Sequence, residues 1–222
     1  MSSQRPFVYM FRNPSSYPMK GAIVRKLILR MLTSIDGFIA DPKGDLRFGS
    51  HWSEQMQQFY AETFAAAGGL VYGRTVYEKY VPYWESVAAT GRHPHSTATD
   101  AEVTYAKRVR ELPKYVASTT LAGAAANTTV LRPDPAGQVA ELKRQPGGDL
   151  LLMCGPALLA DLSAHNLVDE YMLDVYPIAV GRGIHLWRDV PEPIGLRLVR
   201  SQPYPDDVTL QIYAPQEAPT GV

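Results

Sequence analysis

Three short turns place glycine or small polar residues directly after a predicted strand, at residues 33–37, 73–75 and 155–157. In the last of them an apolar run, typical of a strand buried on both faces of a helix-covered sheet, is broken by Gly155 and Pro156. A helix with one apolar side follows. A strand, a glycine and a helix N-terminus present free backbone N–H groups, which together with the helix dipole favour a phosphate. A tight turn within a βαβ unit has the same pattern, so one turn alone leaves both interpretations open.

Five residues, two of them within these turns, carry side chains that suit a cofactor or a substrate. Arg74 opens a helix, where a cation opposes the dipole unless an anion is present, although a surface salt bridge is the alternative. Asp36 is a carboxylate that could orient a substrate or relay a proton, or simply form an Asp-Gly turn. Ser118 and Thr119 form a further polar strand end. Trp52 could stack on a flat heterocycle or belong to the core.

Composition excludes several classes of protein. The 222 residues include 22 basic and 22 acidic side chains, so no global field indicates nucleic acid or an anionic membrane as a partner. The single cysteine, Cys154, excludes a disulfide framework and a multi-cysteine zinc site, and we expect no metal. No apolar run approaches the roughly 20 residues of a membrane span, and no apolar signal core is present. The sequence therefore predicts a soluble, cytoplasmic protein.

The order of elements predicts one α/β domain over residues 25–214, after an N-terminal arm (1–24) and before a short tail (215–222). Strands alternate with helices, which is typical of a three-layer fold with a mostly parallel sheet, and an antiparallel hairpin closes it. The predicted strands are 25–32, 70–72, 114–117, 128–131, 150–154, 170–176 (with a start as early as Leu167), 196–201 and 208–213. A polar loop is predicted at 86–98. Ligands bind at the carboxyl ends of such strands, so we expect the turns to converge there.

At this point an ordered set of short segments resembles a known family. The segments are 34–40 (SIDGFIA), 73–78 (GRTVYE), 155–159 (GPALL), 167–170 (LVDE), 177–183 (PIAVGRG) and 207–210 (DVTL). They are similar to the reductase domain at the C-terminus of the bifunctional riboflavin-biosynthesis deaminase/reductase, in the dihydrofolate reductase superfamily. The resemblance implies a mixed sheet flanked by helices, NADPH as the hydride donor, and a homodimer. The implied activity is reduction of a small heterocycle, with 5-amino-6-(5-phosphoribosylamino)uracil as the reference substrate.

The resemblance also assigns expected roles to individual residues. The residues expected to hold the cofactor's phosphates are Gly73, Arg74 and Thr75. The residues expected to hold the pyrophosphate, at the other turn, are Gly155, Pro156, Ala157 and Leu158. Ser118 and Thr119 would lie beside the adenosine 2′-phosphate, where hydroxyl donors suit a dianion. The loop that begins at Thr33 and Ser34 would cover the nicotinamide, with Asp36 facing the substrate.

Two departures from the family pattern restrict the enzymatic activity that we expect. The matched segments include no zinc-deaminase motif, so only reductase activity is expected. The helix position that carries an acidic residue in dihydrofolate reductases is near Gln57, which would contact the substrate without pairing with a protonated pteridine. Two alternatives stay open: a nucleotide-binding module without catalysis, and a reductase of the dihydrofolate or pteridine type.

Overall fold

The computed structural model describes residues 25–46, 48, 52–125 and 127–216. The strands are β1 (Leu27–Ser34), β2 (Phe38–Ala40), β3 (Gly69–Gly73), β4 (Lys114–Ala117), β5 (Thr128–Leu131), β6 (Leu150–Met153), β7 (Glu170–Tyr176), β8 (Ile184–His185), β9 (Leu196–Pro203) and β10 (Thr209–Pro215). The helices are α1 (Glu54–Ala66), α2 (Arg74–Thr90), α3 (Asp100–Glu111), α4 (Pro135–Arg144) and α5 (Pro156–Ala164). The predicted arm and most of the predicted tail lie outside the described residues.

Eight strands form one sheet in the order β5-β4-β3-β6-β1-β7-β10-β9. The first six run parallel, and β10 pairs antiparallel with both β7 and β9. The carboxyl ends of the six parallel strands therefore lie along one border of the sheet, which we call the carboxyl edge. A two-stranded ribbon of β2 and β8 stands apart from the main sheet.

Helices cover both faces of the sheet, as the apolar run of β6 predicts. All four β6 residues are buried, because alternate side chains pack against opposite helical layers. On one face, which we call the α1 face, lie α1, α2 and α3; α4 and α5 cover the other. Among the described residues no helix combines the length and the apolar character that crossing a bilayer requires.

The observed elements differ from the predicted ones in three places. Helix α2 continues through Pro82 to Thr90, so the predicted loop at 86–98 begins only after the helix. Proline removes one helical hydrogen bond, but buried Val81, Trp84 and Val87 hold the helix against the core. Strand β7 begins at Glu170 and not at Leu167, and the β2–β8 ribbon was not predicted. Strands of two and three residues are too short to show a period.

Candidate functional site

The turns that follow β3 and β6 lie side by side on the carboxyl edge. Tyr72 on β3 is in register with Met153 on β6, so both strands end at the same level. A Cβ atom built on Gly73 would lie 3.6 Å from the Cβ of Cys154 and 3.7 Å from the backbone nitrogen of Gly155. The expected convergence of these two glycine turns is therefore present, and together they form one rim, which we call the glycine rim.

The helices that start at the glycine rim differ from the other three at their N-termini. Ser53, Thr99 and Asp134 each cap a helix, and each side-chain oxygen accepts a hydrogen bond from a backbone N–H of the first turn. In α2 and α5 the N-cap residue is a glycine, and no side chain caps the helix. The first N–H groups of a helix have no acceptor within it. The two uncapped N-termini thus place their donors next to each other.

The backbone at the glycine rim does not itself require glycine. Gly155 has φ −81° and ψ 175°, and Gly73 has φ −79° and ψ 151°, which are conformations that any residue adopts. A Cβ atom on Gly155 would have no neighbour within 4 Å. The space above Gly155 is therefore open, and a side chain there would fill it without disturbing the fold.

Arg74 is the first residue of α2, and its side chain is 46% exposed beside the rim. Its Nη1 atom donates to Glu78 Oε2 at 2.9 Å, one helical turn further on. The salt bridge that the sequence left as an alternative is therefore formed. Exposed pairs of this kind contribute about 0–1 kcal/mol, so the guanidinium can exchange its partner at little cost.

The carboxyl ends of β4 and β5 carry a second group of polar side chains. Ser118 Oγ accepts hydrogen bonds from the backbone nitrogens of Thr120 and Leu121 at 3.1 and 2.9 Å, which fixes a tight turn. Thr119 is exposed on this turn. Arg132, which follows β5, donates from Nη1 to the Thr119 carbonyl at 3.3 Å. Sequence reasoning missed Arg132, although a cation directly after a strand end was a usable signal.

Asp36 joins two loops at the end of β1. Its Oδ1 atom accepts from Ser34 Oγ at 2.6 Å and from the backbone nitrogen of Val180 at 3.1 Å, and its Oδ2 atom accepts from that of Gly181 at 2.8 Å. The Ser34 hydrogen bond is the largest cause that lowers the Asp36 pKa, which falls to about 2. A carboxyl group with that pKa has no proton to donate near neutral pH. The contacts support a structural role, and a catalytic role stays a prediction.

Thr33 and Ser34 are buried at the end of β1, with 3% and 1% of their surface exposed. The Ser34 hydroxyl also accepts from the backbone nitrogen of Phe38 at 2.9 Å, so it closes the turn. Beyond the turn, Gly37 has φ +81°, and a Cβ atom on it would approach His185 Nε2 to 2.6 Å. Glycine is required here by both the conformation and the imidazole. Because the side chains of Thr33 and Ser34 are buried, contacts from these two residues to a cofactor would come through the backbone.

Trp52 and Gln57 lie in the junction of the helices on the α1 face. The Trp52 ring is 4.4 Å from Tyr60 and 5.9 Å from Trp84, which favours the core interpretation of this side chain. Gln57 donates from Nε2 to the Trp52 carbonyl at 3.0 Å and accepts from Thr99 Oγ1 at 2.8 Å. Both ends of the carboxamide are thus engaged between α1 and α3. Their predicted role in substrate binding stays a prediction.

A buried ion pair beneath the carboxyl edge was also missed by sequence reasoning. Arg30 on β1 and Asp174 on β7 are 2% and 0% exposed, and Nη1 lies 2.6 Å from Oδ2. Tyr60 on α1 donates to the same Oδ2 atom at 2.7 Å. Burial raises the pKa of Asp174, against the lowering effects of Arg30 and Tyr60. The two residues are far apart in the chain, so no local pattern pairs them.

Comparison with known proteins identifies the family. The model of the RibD C-terminal domain matches residues 25–210, which include the glycine rim and the loops around it. The chain belongs to the RibD C-terminal domain family. The resemblance inferred from the six sequence segments is thereby confirmed.

Two proteins of Bacillus subtilis are similar to the chain at limited identity. The uncharacterized protein YyaP of Bacillus subtilis (strain 168) is 25% identical over 190 residues, which are 85% of this chain and 94% of YyaP. The uncharacterized protein YwjB of the same organism is 22% identical over 192 residues, 84% of this chain and 96% of YwjB.

Solved structures show the same fold. The diaminohydroxyphosphoribosylaminopyrimidine deaminase/5-amino-6-(5-phosphoribosylamino)uracil reductase of Thermotoga maritima superimposes with a TM-score of 0.59 at 17% identity, over 87% of this chain and 57% of that one. The dihydrofolate reductase of Enterococcus faecalis, complexed with NADP(H), gives a TM-score of 0.55 at 13% identity, over 86% and 97% of the two chains. The predicted dihydrofolate reductase-like fold is confirmed.

Proposed function

We propose that this protein is an NADPH-dependent reductase of a small heterocyclic substrate. One observation carries the proposal: two uncapped, glycine-started helices lie side by side on the carboxyl edge, while the other three helices are capped by side chains. Paired N-termini of this kind suit the two phosphates of a dinucleotide. Membership of the RibD C-terminal domain family supports an oxidoreductase as the general class.

The glycine rim would hold the pyrophosphate through backbone donors. Pro156 has no N–H group, so the first free donors of α5 are those of Ala157 and Leu158, above which the space at Gly155 is open. Arg74 would add a charge-assisted hydrogen bond to the α2 side, and Thr75 lies beside it. These residues offer hydrogen-bond donors that suit a dinucleotide pyrophosphate, and the open space at Gly155 can accommodate it.

Selection of NADPH over NADH would come from the end of β4. Ser118 and Thr119 lie on a turn fixed by backbone hydrogen bonds, and Arg132 contacts the same turn. Hydroxyl groups and a guanidinium suit the adenosine 2′-phosphate, which NADH lacks. We expect this turn to strengthen the binding of NADPH and not that of NADH.

When bound, the cofactor supplies a hydride, and the protein supplies position and a dry pocket. The loop that Asp36 fastens to Val180 and Gly181 would lie over the nicotinamide and exclude water from it. Because Asp36 is ionised near neutral pH, it would orient this loop and the substrate and would not donate the proton. The protein thus contributes mainly orientation, as hydride transfer requires.

The test compares two exposed arginines, Arg74 at the first residue of α2 and Arg144 at the last residue of α4. Arg74 and Arg144 each pair with a glutamate on their own helix, but only Arg74 borders the glycine rim. Loss of a charge-assisted hydrogen bond predicts an NADPH affinity about 10-fold to 100-fold lower in Arg74→Ala. Arg144→Ala should bind as wild type does, measured by calorimetry. Absence of NADPH binding to the wild type ends the proposal, and unchanged affinity in Arg74→Ala removes Arg74 from the site.

A nucleotide-binding module without catalysis is the second candidate. The observation that favours it is Gln57, an uncharged residue at the position that carries an acid in dihydrofolate reductases, with its carboxamide engaged by Trp52 and Thr99. A panel of pyrimidines, pterins and quinones separates the two candidates. Oxidation of bound NADPH by any member shows a reductase, and a pterin as the best acceptor would indicate the pteridine type.

We further propose a homodimer, which light scattering on a size-exclusion column tests.

A further inference from the structure

A connected set of aromatic rings, which we call the aromatic path, runs from the glycine rim to the surface of the α1 face. Tyr72 on β3 precedes Gly73, and its ring centroid lies 6.0 Å from that of Tyr80. The Tyr80 ring lies 6.0 Å from Trp84, and Trp84 lies 5.2 Å from Tyr83. Tyr72 and Trp84 are 0% and 5% exposed, whereas Tyr83 is 39% exposed. The rings therefore connect the core beneath the rim with solvent.

A second branch of the aromatic path starts at Trp52, a predicted substrate-binding residue. Its ring centroid lies 5.9 Å from that of Trp84. Tryptophan and tyrosine are among the side chains that lose an electron most readily, and electron transfer between rings slows steeply with distance. Because both branches meet at Trp84, an electron missing from either branch can be replaced through Trp84 from Tyr83.

The exposed end of the aromatic path carries a proton acceptor. Tyr83 Oη lies 2.7 Å from His93 Nδ1, and His93 Nε2 lies 3.2 Å from Glu102 Oε2. A carboxylate only accepts, so the hydrogen of the neutral imidazole lies on Nε2, and Nδ1 accepts from the phenol. Burial and the charge of Glu102 raise the pKa of Tyr83, so the phenol keeps its proton until the ring is oxidised. Packing explains a cluster of rings, but it does not require a proton acceptor at the exposed end.

The buried tyrosines beside the aromatic path have no comparable proton acceptor. Within the described part of the chain, the hydroxyl groups of Tyr72 and Tyr105 have no hydrogen-bond partner. Tyr60 donates to Asp174, but that carboxylate already belongs to a buried ion pair, which a transferred proton would break. A tyrosine must lose its phenolic proton to become a neutral radical. Tyr83 is therefore the tyrosine at which oxidation of the path ends.

We propose that the aromatic path carries oxidising equivalents out of the site to Tyr83 and so protects the protein from one-electron damage. An organic radical formed in the site takes one electron from Trp52 and becomes an anion. Trp84 replaces that electron, and Tyr83 replaces the electron of Trp84. The phenolic proton of Tyr83 moves to His93 Nδ1. A neutral tyrosyl radical then lies beside an imidazolium that pairs with Glu102.

A surface groove gives a small reductant access to Tyr83. The groove has a volume of about 380 Å³, and its polar lining residues are Tyr83, Ser86, Thr90, Arg92 and His93. A thiolate in the groove donates one electron to the tyrosyl radical, and His93 returns the proton. The phenol is thereby restored, and a thiyl radical leaves. This inference goes beyond the proposed reductase function, and its test needs neither cofactor nor substrate, so the two can fail separately.

The test is pulse radiolysis of the full chain with the azidyl radical, which oxidises tryptophan selectively. All proteins compared carry Trp187→Phe, because Trp187 lies 5.8 Å from Tyr171 and would start a separate transfer. In this parent we expect the absorption of the tryptophyl radical to convert into that of the tyrosyl radical, at a rate independent of protein concentration. Absence of the conversion overturns the inference.

Single substitutions assign the conversion to the aromatic path. Tyr83→Phe should remove most of the tyrosyl signal, whereas the control Tyr213→Phe, on β10, should leave it unchanged. His93→Gln removes the proton acceptor, so the conversion should slow. An undiminished tyrosyl yield in Tyr83→Phe overturns the inference, and an unchanged rate in His93→Gln contradicts the proton step. Both substitutions lie at the surface end of the path, where folding should tolerate them.

The protective role has a readout of its own. With a thiol present, the parent should keep its tryptophan fluorescence through repeated radiolysis pulses, because Tyr83 is restored after each one. Tyr83→Phe should lose that fluorescence faster, because the oxidised tryptophans cannot pass the damage on. Equal loss in the two proteins contradicts the protective role.

Discussion

Gly155 offers a substitution for which stability and cofactor binding should change in opposite directions. Its φ of −81° and ψ of 175° suit serine, and an added Cβ atom would have no neighbour within 4 Å. In Gly155→Ser the hydroxyl would cap α5, as Ser53 caps α1. The same hydroxyl would occupy the backbone donors and the space that we assign to the pyrophosphate. We therefore expect a more stable protein that binds NADPH less well.

The magnitude of the stability change follows from two terms. Replacing glycine at a compatible conformation stabilises by about 0.4–1 kcal/mol, because the unfolded chain loses freedom. Exchanging a glycine N-cap for serine adds a few tenths of a kcal/mol. The sum is about 0.5–1.5 kcal/mol. In a chain of this size each kcal/mol of added stability raises the Tm by about 2–4 °C. The NADPH dissociation constant should rise at least about tenfold, as expected when backbone hydrogen bonds to an anion are lost.

Urea denaturation without ligand and calorimetric titration with NADPH measure the two effects. The matched control is Gly195→Ser, because Gly195 precedes β9 at the opposite end of the sheet and its added Cβ atom meets only the flexible Gln216 side chain at 3.2 Å. This control should leave NADPH affinity unchanged. If Gly155→Ser binds NADPH within twofold of wild type, the open space at Gly155 does not hold the pyrophosphate and the reasoning is refuted.

The remaining predictions concern the buried ion pair and the Asp36 junction. Arg30→Met alone should destabilise the protein by about 3–5 kcal/mol, because it leaves Asp174 buried without its partner, while Arg30→Met with Asp174→Leu should restore most of that loss in urea denaturation. A double variant no more stable than the single one would contradict this. The Asp36 pKa is lowered from 3.8 to about 2, so its stabilising contribution is complete above the unfolded value and disappears as the pH falls from about 4 towards 2. Asp36→Asn should remove that part of the pH dependence of the urea midpoint, and an unchanged profile would show that the carboxylate contributes nothing there.

Local signals in the sequence predicted much of the fold. Ser53, Thr99 and Asp134 are residue types that favour helix starts, and each of the three caps a helix in the structure. The apolar run of β6 indicated a strand buried on both faces, and it is one. The glycine turns after β3 and β6 were expected to converge because parallel strands end at one edge, and the sheet order places these two strands together. Such features depend on neighbours in the chain or on a general rule of sheets.

Features that depend on distant contacts could not be predicted. Arg30 looked like one cation in an apolar strand, because its partners Asp174 and Tyr60 come from other elements. The predicted polar loop at 86–98 implied that α2 ends early, whereas packing against the core holds the helix through Pro82 to Thr90 despite one lost hydrogen bond. Asp36 was recognised as a functional candidate, but its contacts with Val180 and Gly181 join segments that no periodicity relates. Tertiary contacts decide each of these cases.

The most direct test of the glycine rim as a cofactor site is a titration of isotope-labelled protein with NADPH, followed through the backbone amide signals. The account predicts the largest shifts at the uncapped N-termini, in Arg74, Thr75, Gly155, Ala157 and Leu158. Saturation without shifts at these amides, or shifts confined to the opposite end of the sheet, would contradict the account.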